Sequence, residues 1–439
     1  MTRRAYASVL ALMLVSACEI PSWMGGDPPE IKRIPGERYE VLASDTLLKP
    51  NEESQRTPVD VPEASANDAW RSPSAAMAGG VPALPKTLTR QDSASIGEGN
   101  DFGTGDAVAP IAAEGTLYAM DAAGFISAHA LGDISDKRWV SNAATEEDAQ
   151  EILGGGLAYD AGTLYATTGY GRLVALDAAT GKQRWRSNVG APVRGAPAVK
   201  GGIVVVLTAD NQTLAFDTEK GGPIWAHRGI REAAGFFSGT SPVIAEDLVI
   251  GAYSSGQIVA LRLTTGNVLW EDSVGTPTRT RAASTFSGID ATPVVQDGVV
   301  YVVSAGGVMM ANALINGRPL WSQRLGAHET PWASGNALFV LTIEHELAAL
   351  FKRDGMVRWV TGLKQTDKGR DVTPTLYGPV LAGGRVLVAS AEGDLLQFST
   401  ADGKARDLID LPSGIAATPI IVNGTLYLVT EDATLYAYR

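Results

Sequence analysis

The sequence has 439 residues, of which 45% are hydrophobic, so the chain is long enough to bury a large core. Its formal net charge is −12, and its lysines and arginines form no basic stripe. Because proteins bind nucleic acids through clusters of such residues, we expect no nucleic-acid partner, and solubility is the simplest account of the acidity.

Residues 1–17 have the features of an export signal. Arg3 and Arg4 give it a charged start, and its apolar core, residues 9–15, is too short to span a bilayer. The small residues Ser16 and Ala17 precede Cys18, an arrangement that resembles a bacterial lipobox. We predict that Cys18 becomes the first residue of the mature protein and carries a lipid anchor. The alternative is an incidental cysteine in a discarded signal peptide.

Residues 18–66 are rich in proline, glutamate, aspartate and serine and show little periodicity. We predict that they are the lipidated cysteine and a flexible tether. Residues 34–42 (IPGERYEVL) are the one stretch there that could order against another surface. Cys18 is the only cysteine, which excludes an intramolecular disulfide. Aspartate after a lipidated cysteine usually marks retention in the inner membrane, so Glu19 favours the outer membrane.

The remaining sequence repeats with a period of about 40 residues, which indicates a propeller, a solenoid or an array. The clearest copy, residues 157–185, reads LAYDAGTLYATTGYGRLVALDAATGKQRW. The other seven copies occupy residues 109–139, 196–225, 241–270, 292–321, 331–359, 378–407 and 417–439.

Each copy predicts a blade of four short antiparallel strands separated by glycine-containing turns. In the turn before the last strand, Asp177 can cap its own backbone and Gly181 can take positive φ. The inner strands are apolar on both faces, as expected for sheets that are stacked radially. We therefore predict an all-β fold, an eight-bladed β-propeller of four-stranded antiparallel blades over residues 67–439.

The last copy stops at Arg439, before its tryptophan strand, so an N-terminal strand must close the last blade. Trp70 is one possible member of that strand, but the spacing between blade tryptophans and the next inner-strand proline argues against it. The spacing places the closing strand near residues 87–96. Trp70 is then expected to pack on a face of the ring.

Three connections between predicted blades are longer than the others, namely residues 141–154, 226–239 and 272–289. Each runs from an outer strand to the next inner strand, so all three should emerge on one rim. Long loops on a rigid scaffold are where binding residues are usually found.

The sequence carries no recognisable catalytic or metal motif. None of its four histidines has metal-ligand spacing, and neither a nucleophile elbow nor a Walker loop is present. We therefore expect neither an enzyme nor a cofactor, although a catalytic triad assembled across blades would be invisible at this level. The histidines are His129, His227, His328 and His345.

The repeat text Ala-Leu-Asp-x-x-Thr-Gly-x-x-x-Trp, at residues 175–185, resembles the propellers of pyrroloquinoline-quinone dehydrogenases. Those enzymes hold their quinone with a vicinal cysteine pair and a calcium site, and this chain has no Cys-Cys. The lipobox, the acidic tether and eight such blades together resemble the BamB family of the outer-membrane β-barrel assembly machinery. Residues 34–42, 154–171 and the pair Pro331-Trp332 resemble its alphaproteobacterial members in particular.

The resemblance implies a scaffold on the periplasmic face of the outer membrane. It implies binding to the periplasmic (POTRA) domains of BamA within the barrel-assembly complex, and contact with unfolded outer-membrane proteins. The family binds through two connections between blades. Phe236-Phe237 stands where one family loop has Leu-Arg, and Asp290 is what remains of an Asp-x-Asp pair in the other. Arg279 and Arg281 share that second loop.

For each of these residues an ordinary structural role is the alternative. The phenylalanines could pack on a neighbouring blade, Asp290 could cap the next strand, and the two arginines could be solvated surface. We expect the blade tryptophans to fill gaps between blades. Two other functions stay open: a quinoprotein-type dehydrogenase with replaced ligands, and a ligand-binding or sensory propeller of the cell envelope.

Overall fold

The computed structural model describes residues 48–50, 52–73, 80–97, 107–145, 154–193, 195–231, 239–274, 288–363, 365–367, 370–372 and 374–439. Within these residues the only helix is the 3-10 turn Ser54–Arg56, and the strands form eight four-stranded antiparallel sheets and one hairpin. The predicted eight-bladed β-propeller is confirmed.

The first four blades follow one another along the chain. Blade 1 is β2 (Ile111–Ala113), β3 (Thr116–Met120), β4 (Phe125–Ala130) and β5 (Asp133–Asn142). Blade 2 is β6 (Gly155–Asp160), β7 (Thr163–Thr168), β8 (Arg172–Asp177) and β9 (Gln183–Asn188). Blade 3 is β10 (Ala198–Lys200), β11 (Ile203–Leu207), β12 (Gln212–Asp217) and β13 (Pro223–Arg228). Blade 4 is β14 (Val243–Ala245), β15 (Leu248–Ala252), β16 (Gln257–Arg262) and β17 (Val268–Ser273).

The second half of the ring repeats the pattern. Blade 5 is β18 (Val294–Gln296), β19 (Val299–Val303), β20 (Met309–Ala313) and β21 (Pro319–Gln323). Blade 6 is β22 (Trp332–Ser334), β23 (Ala337–Leu341), β24 (Glu346–Phe351) and β25 (Val357–Gly362), followed by the hairpin β26 (Gln365–Asp367) and β27 (Arg370–Val372). Blade 7 is β28 (Leu376–Ala382), β29 (Arg385–Ser390), β30 (Asp394–Ser399) and β31 (Ala405–Asp410). Blade 8 is β32 (Ile420–Val422), β33 (Thr425–Val429), β34 (Thr434–Tyr438) and the N-terminal β1 (Arg90–Ser95).

The first strands of neighbouring blades contact one another, so they surround the centre of the ring. Buried apolar side chains form layers between successive blades, and the second strand is buried along its whole length in every blade except blade 5. Each sheet is an antiparallel meander. The turns after its first and third strands therefore lie at one end, which we call the turn face. The turns after the second strands and the connections between blades lie at the other end, which we call the connection face.

Six tryptophans join the blades in a repeated way. Each lies in an outer strand and donates its indole N–H to a carbonyl in the third turn of the next blade, as in Trp270 Nε1 to Leu314 O at 2.7 Å. The ring also packs on the glycine of that turn, where a Cβ on Gly317 would lie 2.6 Å from Trp270. Glycine thus provides both the positive φ and the close approach. The six are Trp139, Trp185, Trp225, Trp270, Trp321 and Trp359, whose expected structural role is confirmed.

The closing strand lies where the repeat spacing predicts it. β1 pairs antiparallel with β34, with Arg90 opposite Tyr438 and Ser95 opposite Thr434. Just outside the pairing, Thr89 and Arg439 exchange two backbone hydrogen bonds of 2.8 and 2.9 Å. The last blade thereby gains its fourth strand, and the ring leaves no gap between blades 8 and 1.

Residues 52–73 and 80–88, which we call the strap, run across the turn face. The strap exchanges hydrogen bonds with blade 6 through Asp60 and Asn336, with blade 8 through Asn67 and Asn423, and with blade 2 through Arg71. The prediction of a flexible tether up to residue 66 therefore differs from the structure, in which residues 52–66 are held by hydrogen bonds to the blade turns. The sequence of residues 52–66 shows no periodicity, because backbone atoms form many of the hydrogen bonds that hold this segment.

Trp70 lies in the centre of the ring at the turn face. Its backbone pairs with Ala112 in the first strand of blade 1, and its ring centroid is 6.0 Å from that of Trp332, in the first strand of blade 6. Both tryptophans are almost fully buried. Because two blades separate blades 6 and 1, a side chain that joins them occupies the central channel. Trp70 thus packs on a face of the ring, as expected, and fills its centre.

Arg385, in β29, holds the last part of the strap. The residue is 3% exposed, and its guanidinium donates to Gln397 Oε1 at 2.5 Å, to the Leu84 carbonyl at 3.4 Å and to the Pro85 carbonyl. Burial lowers the pKa of this guanidinium from its ordinary value. The contact fixes the strap immediately before the closing strand.

Candidate functional site

Two long connections lie on either side of blade 4 at the connection face, one containing residues 232–238 and the other residues 275–287. Their ends are held by the blade. The Thr240 hydroxyl donates to a carbonyl of β15 at 3.0 Å, and the Val274 N–H donates to the Gly256 carbonyl at 2.9 Å. Blade 4 therefore fixes where the first connection finishes and where the second one starts.

Asp290 stands just after the second of these connections. Its Oδ2 is 2.9 Å from Nδ1 of His328, which lies in the connection between blades 5 and 6. The His328 side chain is 64% exposed and that of Asp290 is 21% exposed. The other carboxylate oxygen of Asp290, Oδ1, is buried and has no hydrogen-bond partner among the residues that the structure describes. Asp290 is thus held by a side chain of the neighbouring connection.

Hydroxyl groups fix the backbone next to Asp290. The Thr292 hydroxyl accepts the Ser241 N–H at 3.1 Å, and the Thr330 hydroxyl accepts the Thr292 N–H at 3.2 Å. These residues immediately precede the first-strand prolines of blades 4, 5 and 6. The three blades are therefore joined at the mouth of the channel, which gives Asp290 and His328 a rigid support.

Sequence analysis did not select His328 and Glu329, which the structure brings to the site. Glu329 Oε2 lies 3.3 Å from both the Gly378 N–H and the Thr418 hydroxyl, which belong to blades 7 and 8. The available signal was position: both residues stand directly before Thr330-Pro331, as Asp290 stands before Thr292-Pro293.

The other predicted site residues lie outside the residues that the structure describes. They are Cys18, Phe236, Phe237, Arg279 and Arg281. In the sequence, the two phenylalanines belong to the connection before blade 4 and the two arginines to the connection after it.

The donor groups of this chain do not fit a quinone held by a cysteine pair and calcium. A vicinal pair needs two cysteines, and the sequence has one. In the described ranges, no three His, Cys, Asp or Glu side chains converge as a metal site would require. Across those same ranges, no helix has the length and apolar character needed to cross a membrane.

A family model described as "Outer membrane protein assembly factor BamB" matches residues 113–361 and 362–439. The chain belongs to the BamB family. A BamB-family relative from Yersinia pestis, named outer membrane protein assembly factor BamB, is 25% identical over 289 residues, which cover 65% of this chain and 72% of that protein. The strap and the closing strand precede the matched residues, so they lie outside the part recognised as BamB.

Solved structures show the same fold. BamB from Moraxella catarrhalis superposes with a TM-score of 0.68 at 21% identity, covering 80% of this chain and 100% of that one. Quinohemoprotein alcohol dehydrogenase from Comamonas testosteroni superposes with a TM-score of 0.63 at 15% identity, covering 88% and 82% respectively. At these identities the likeness concerns the propeller fold alone, and the BamB assignment rests on the family model.

Proposed function

We propose that this BamB-family chain is a non-catalytic scaffold for outer-membrane protein assembly that binds the periplasmic (POTRA) domains of BamA. The match of residues 113–439 to the BamB family is the observation that carries the proposal. The geometry supports it, because the two connections predicted to bind the partner share blade 4, at which the first finishes and the second starts.

The contact chemistry at Asp290 favours a cationic group on the partner. One oxygen of its carboxylate contacts the exposed imidazole of His328, and the other has no partner within the described ranges of the chain. Glu329 adds a second carboxylate to the connection that carries His328. An arginine or lysine of the partner can exchange with His328 and form a charge-assisted hydrogen bond with Asp290. Phe236 and Phe237 would supply the apolar part of the same contact.

The proposed location is the periplasmic face of the outer membrane, with Cys18 as the lipid anchor. The lipobox-like residues 15–18 support this, and 29 residues separate Cys18 from Leu48, where the described chain begins. A chain of that length reaches up to about 100 Å when fully extended, which leaves the propeller free to meet a partner in the periplasm. Replacing Cys18 by alanine should release the protein from the outer-membrane fraction.

The binding proposal is tested with purified BamA periplasmic domains from the same organism. The double variant Phe237→Asp with Asp290→Arg should lose partner capture, because it places a charge in the apolar contact and reverses the charge at the polar one. The control is Asp136→Arg, which makes the same charge change as Asp290→Arg on the exposed outer strand of blade 1. Equal capture by the wild type and the double variant would overturn the proposed site.

A further inference from the structure

A β-bulge occurs at the same place in seven outer strands. The residue just before the blade tryptophan, or before Asp407 in blade 7, has no partner in the pairing register, so it bulges from the sheet edge. In blades 1, 2, 6 and 7 this residue is an arginine. These are Arg138, Arg184, Arg358 and Arg406.

The bulge arginines are engaged by hydrogen bonds. Arg184 donates to the Thr163 hydroxyl at 2.7 Å and to Asp177 at 2.8 Å. Arg358 donates to the Thr57 carbonyl of the strap at 2.8 Å, and Arg406 donates to the Ser399 hydroxyl at 3.4 Å. In these blades the outer edge therefore carries a charge that is tied to the protein itself, one of the ways in which open sheet edges are protected.

Blades 3, 4 and 5 have an apolar residue at the bulge instead. Ile224 is 44% exposed, Leu269 is 40% exposed and Leu320 is 40% exposed. The preceding residue in each of these strands is also apolar and exposed, and it is Pro223, Val268 or Pro319. Three consecutive blades thus have an apolar residue at the bulge, where four other blades have an arginine.

A further side chain extends this edge between blades 4 and 5. Ile315 is 77% exposed and lies in the third turn of blade 5, between Leu314 and Gly317. That turn is the one that contacts Trp270, since Leu314 accepts the indole N–H and Gly317 lies under the ring. Ile315 therefore lies beside the outer strand of blade 4. We call Ile224, Val268, Leu269, Ile315 and Leu320 the apolar rim.

The apolar rim belongs to the same sector of the ring as the candidate site. Residues 232–238 follow β13 and residues 275–287 follow β17, and β13 and β17 carry the rim residues of blades 3 and 4. The rim residues stand at the starts of these strands and the connections at their ends. A strand of six residues is about 20 Å long. A partner domain seated on both connections can therefore also reach the rim.

The chemistry of the rim favours a polypeptide over a lipid surface. Each outer strand ends its sheet, so half of its backbone N–H and C=O groups have no partner strand. Anionic lipid surfaces attract lysine and arginine, whereas here the arginines of the other blades are replaced by Ile224, Leu269 and Leu320. An extended apolar segment of a protein can form backbone hydrogen bonds with the open edge and can also cover the exposed apolar side chains.

We propose that the apolar rim is a second contact surface for the partner of the candidate site, and that it receives an extended apolar segment of that partner along the outer strand of blade 4. The inference rests on the proposed function and adds a surface to it. Glu271 is exposed near the end of this strand, so the segment should place a basic residue opposite it.

The test restores the side chain that the other blades use at the bulge. The triple variant Ile224→Arg, Leu269→Arg, Leu320→Arg should keep the fold, because arginine occupies this bulge position in blades 1, 2, 6 and 7. We expect its affinity for purified BamA periplasmic domains to fall at least tenfold. Leu408→Arg is the matched control, since Leu408 is a 51% exposed leucine in the outer strand of blade 7. It should bind as the wild type does, and thermal unfolding checks the fold of each variant.

The possible outcomes separate the two proposals. Wild-type affinity in the triple variant, together with loss of binding in Phe237→Asp with Asp290→Arg, would overturn the rim and leave the proposed function intact. No binding by the wild type would overturn both. A second copy of the chain and a lipid surface are the two other possible occupants of the rim. Sedimentation of the wild type alone and with anionic phospholipid vesicles tests for both. Self-association or vesicle binding that the triple variant abolishes would assign the rim to a second copy or to lipid and overturn the proposal.

Discussion

His129 is a histidine whose burial should make the stability of the ring depend on pH. It lies in β4 with no exposed surface, with Nδ1 2.7 Å from the Ile134 carbonyl and Nε2 3.0 Å from the Ser127 hydroxyl. The neutral ring satisfies both contacts when Nδ1 carries the proton. Burial lowers the pKa of His129, and it also lowers that of His227.

The unfolded chain therefore binds protons more readily than the folded chain as the pH falls below the ordinary histidine pKa of about 6.5. Stability from His129 is fully present above that pH and is lost as the pH falls toward the lowered pKa of the folded state. We predict that His129→Gln, which keeps a donor for Ile134 but does not titrate, reduces the loss of unfolding free energy between pH 7 and pH 5. Urea unfolding at both pH values measures this. An unchanged pH dependence would contradict it, and adding His227→Gln should reduce the dependence further.

Arg385→Met tests the buried guanidinium that holds the strap. Methionine fills a similar volume but leaves Gln397 Oε1 and two strap carbonyls without their donor, so we expect a loss of about 3 kcal/mol in unfolding free energy. Arg406→Met is the control, because Arg406 is exposed and should cost less than about 1 kcal/mol. Urea unfolding at neutral pH compares the two, and equal losses would show that the strap contact is unimportant.

Single residues also mark the limit of what the sequence could predict about the site. Asp290 was selected through the resemblance to the family, because it is what remains of an Asp-x-Asp pair before Thr292-Pro293. Its partner His328 comes from a shorter connection in the next blade, and no spacing in one repeat reports a contact between two blades. Glu329 was missed for the same reason, since its contacts lie in blades 7 and 8.

At the scale of elements, the strands were predictable and the strap was not. Strands are specified by apolar repeats and turn glycines, and the missing fourth strand of the last blade required β1 at the other end of the chain. The strap is held instead by backbone hydrogen bonds to blade turns and by isolated side chains such as Trp70. Neither leaves a periodic pattern, so its polar composition predicted a tether.

Gly335 offers a test of the strap as an element. It lies in the first turn of blade 6 with φ of +56°, and a Cβ there would be 1.9 Å from the Asp60 carbonyl of the strap. Gly298 occupies the same turn of blade 5 with φ of +73° and has no atom within 4 Å of such a Cβ. Positive φ at an alanine should lower the unfolding free energy of both variants by roughly 1–2 kcal/mol. Only Gly335→Ala must also move the strap.

We therefore predict that trypsin cleaves Gly335→Ala faster than Gly298→Ala after Arg56 and Arg71, the two exposed strap arginines. Limited proteolysis with mass spectrometry of the fragments measures the rates. Local opening of the strap precedes cleavage, so the difference should appear under native conditions. Equal cleavage rates in the two variants would mean that the strap adjusts to the new methyl group without leaving the turn face.

At the scale of the whole molecule, closure joins the two ends of the chain. The number of repeat copies predicted the blade count, and β1 pairs with β34 at the place that the repeat spacing predicted. The sequence could not predict that a side chain fills the central channel, because Trp70 reaches the centre of the ring from a segment outside the repeats. The strap directly precedes β1 in the sequence. Chains that begin at different residues can therefore separate the contribution of the strap to stability from the contribution of β1 to ring closure.

Two shortened chains should behave differently. A chain that begins at residue 80 keeps Arg385 bound to Leu84 and Pro85 and keeps β1, but it lacks Trp70. It should stay monomeric with a lower unfolding temperature, because the large buried contact with Trp332 is lost. A chain that begins at residue 97 also lacks β1. It exposes the edge of β34, and an open apolar edge is a template for pairing with other chains, so this chain should self-associate.

Analytical ultracentrifugation and thermal unfolding distinguish these states. A synthetic peptide of residues 87–96 should restore the monomer when it is added to the chain that begins at residue 97, since it supplies the register Arg90–Tyr438 to Ser95–Thr434. A scrambled peptide of the same composition should not. If the chain that begins at residue 97 were monomeric and as stable as the one that begins at residue 80, closure by β1 would contribute nothing, and the seven complete blades would hold the ring unaided.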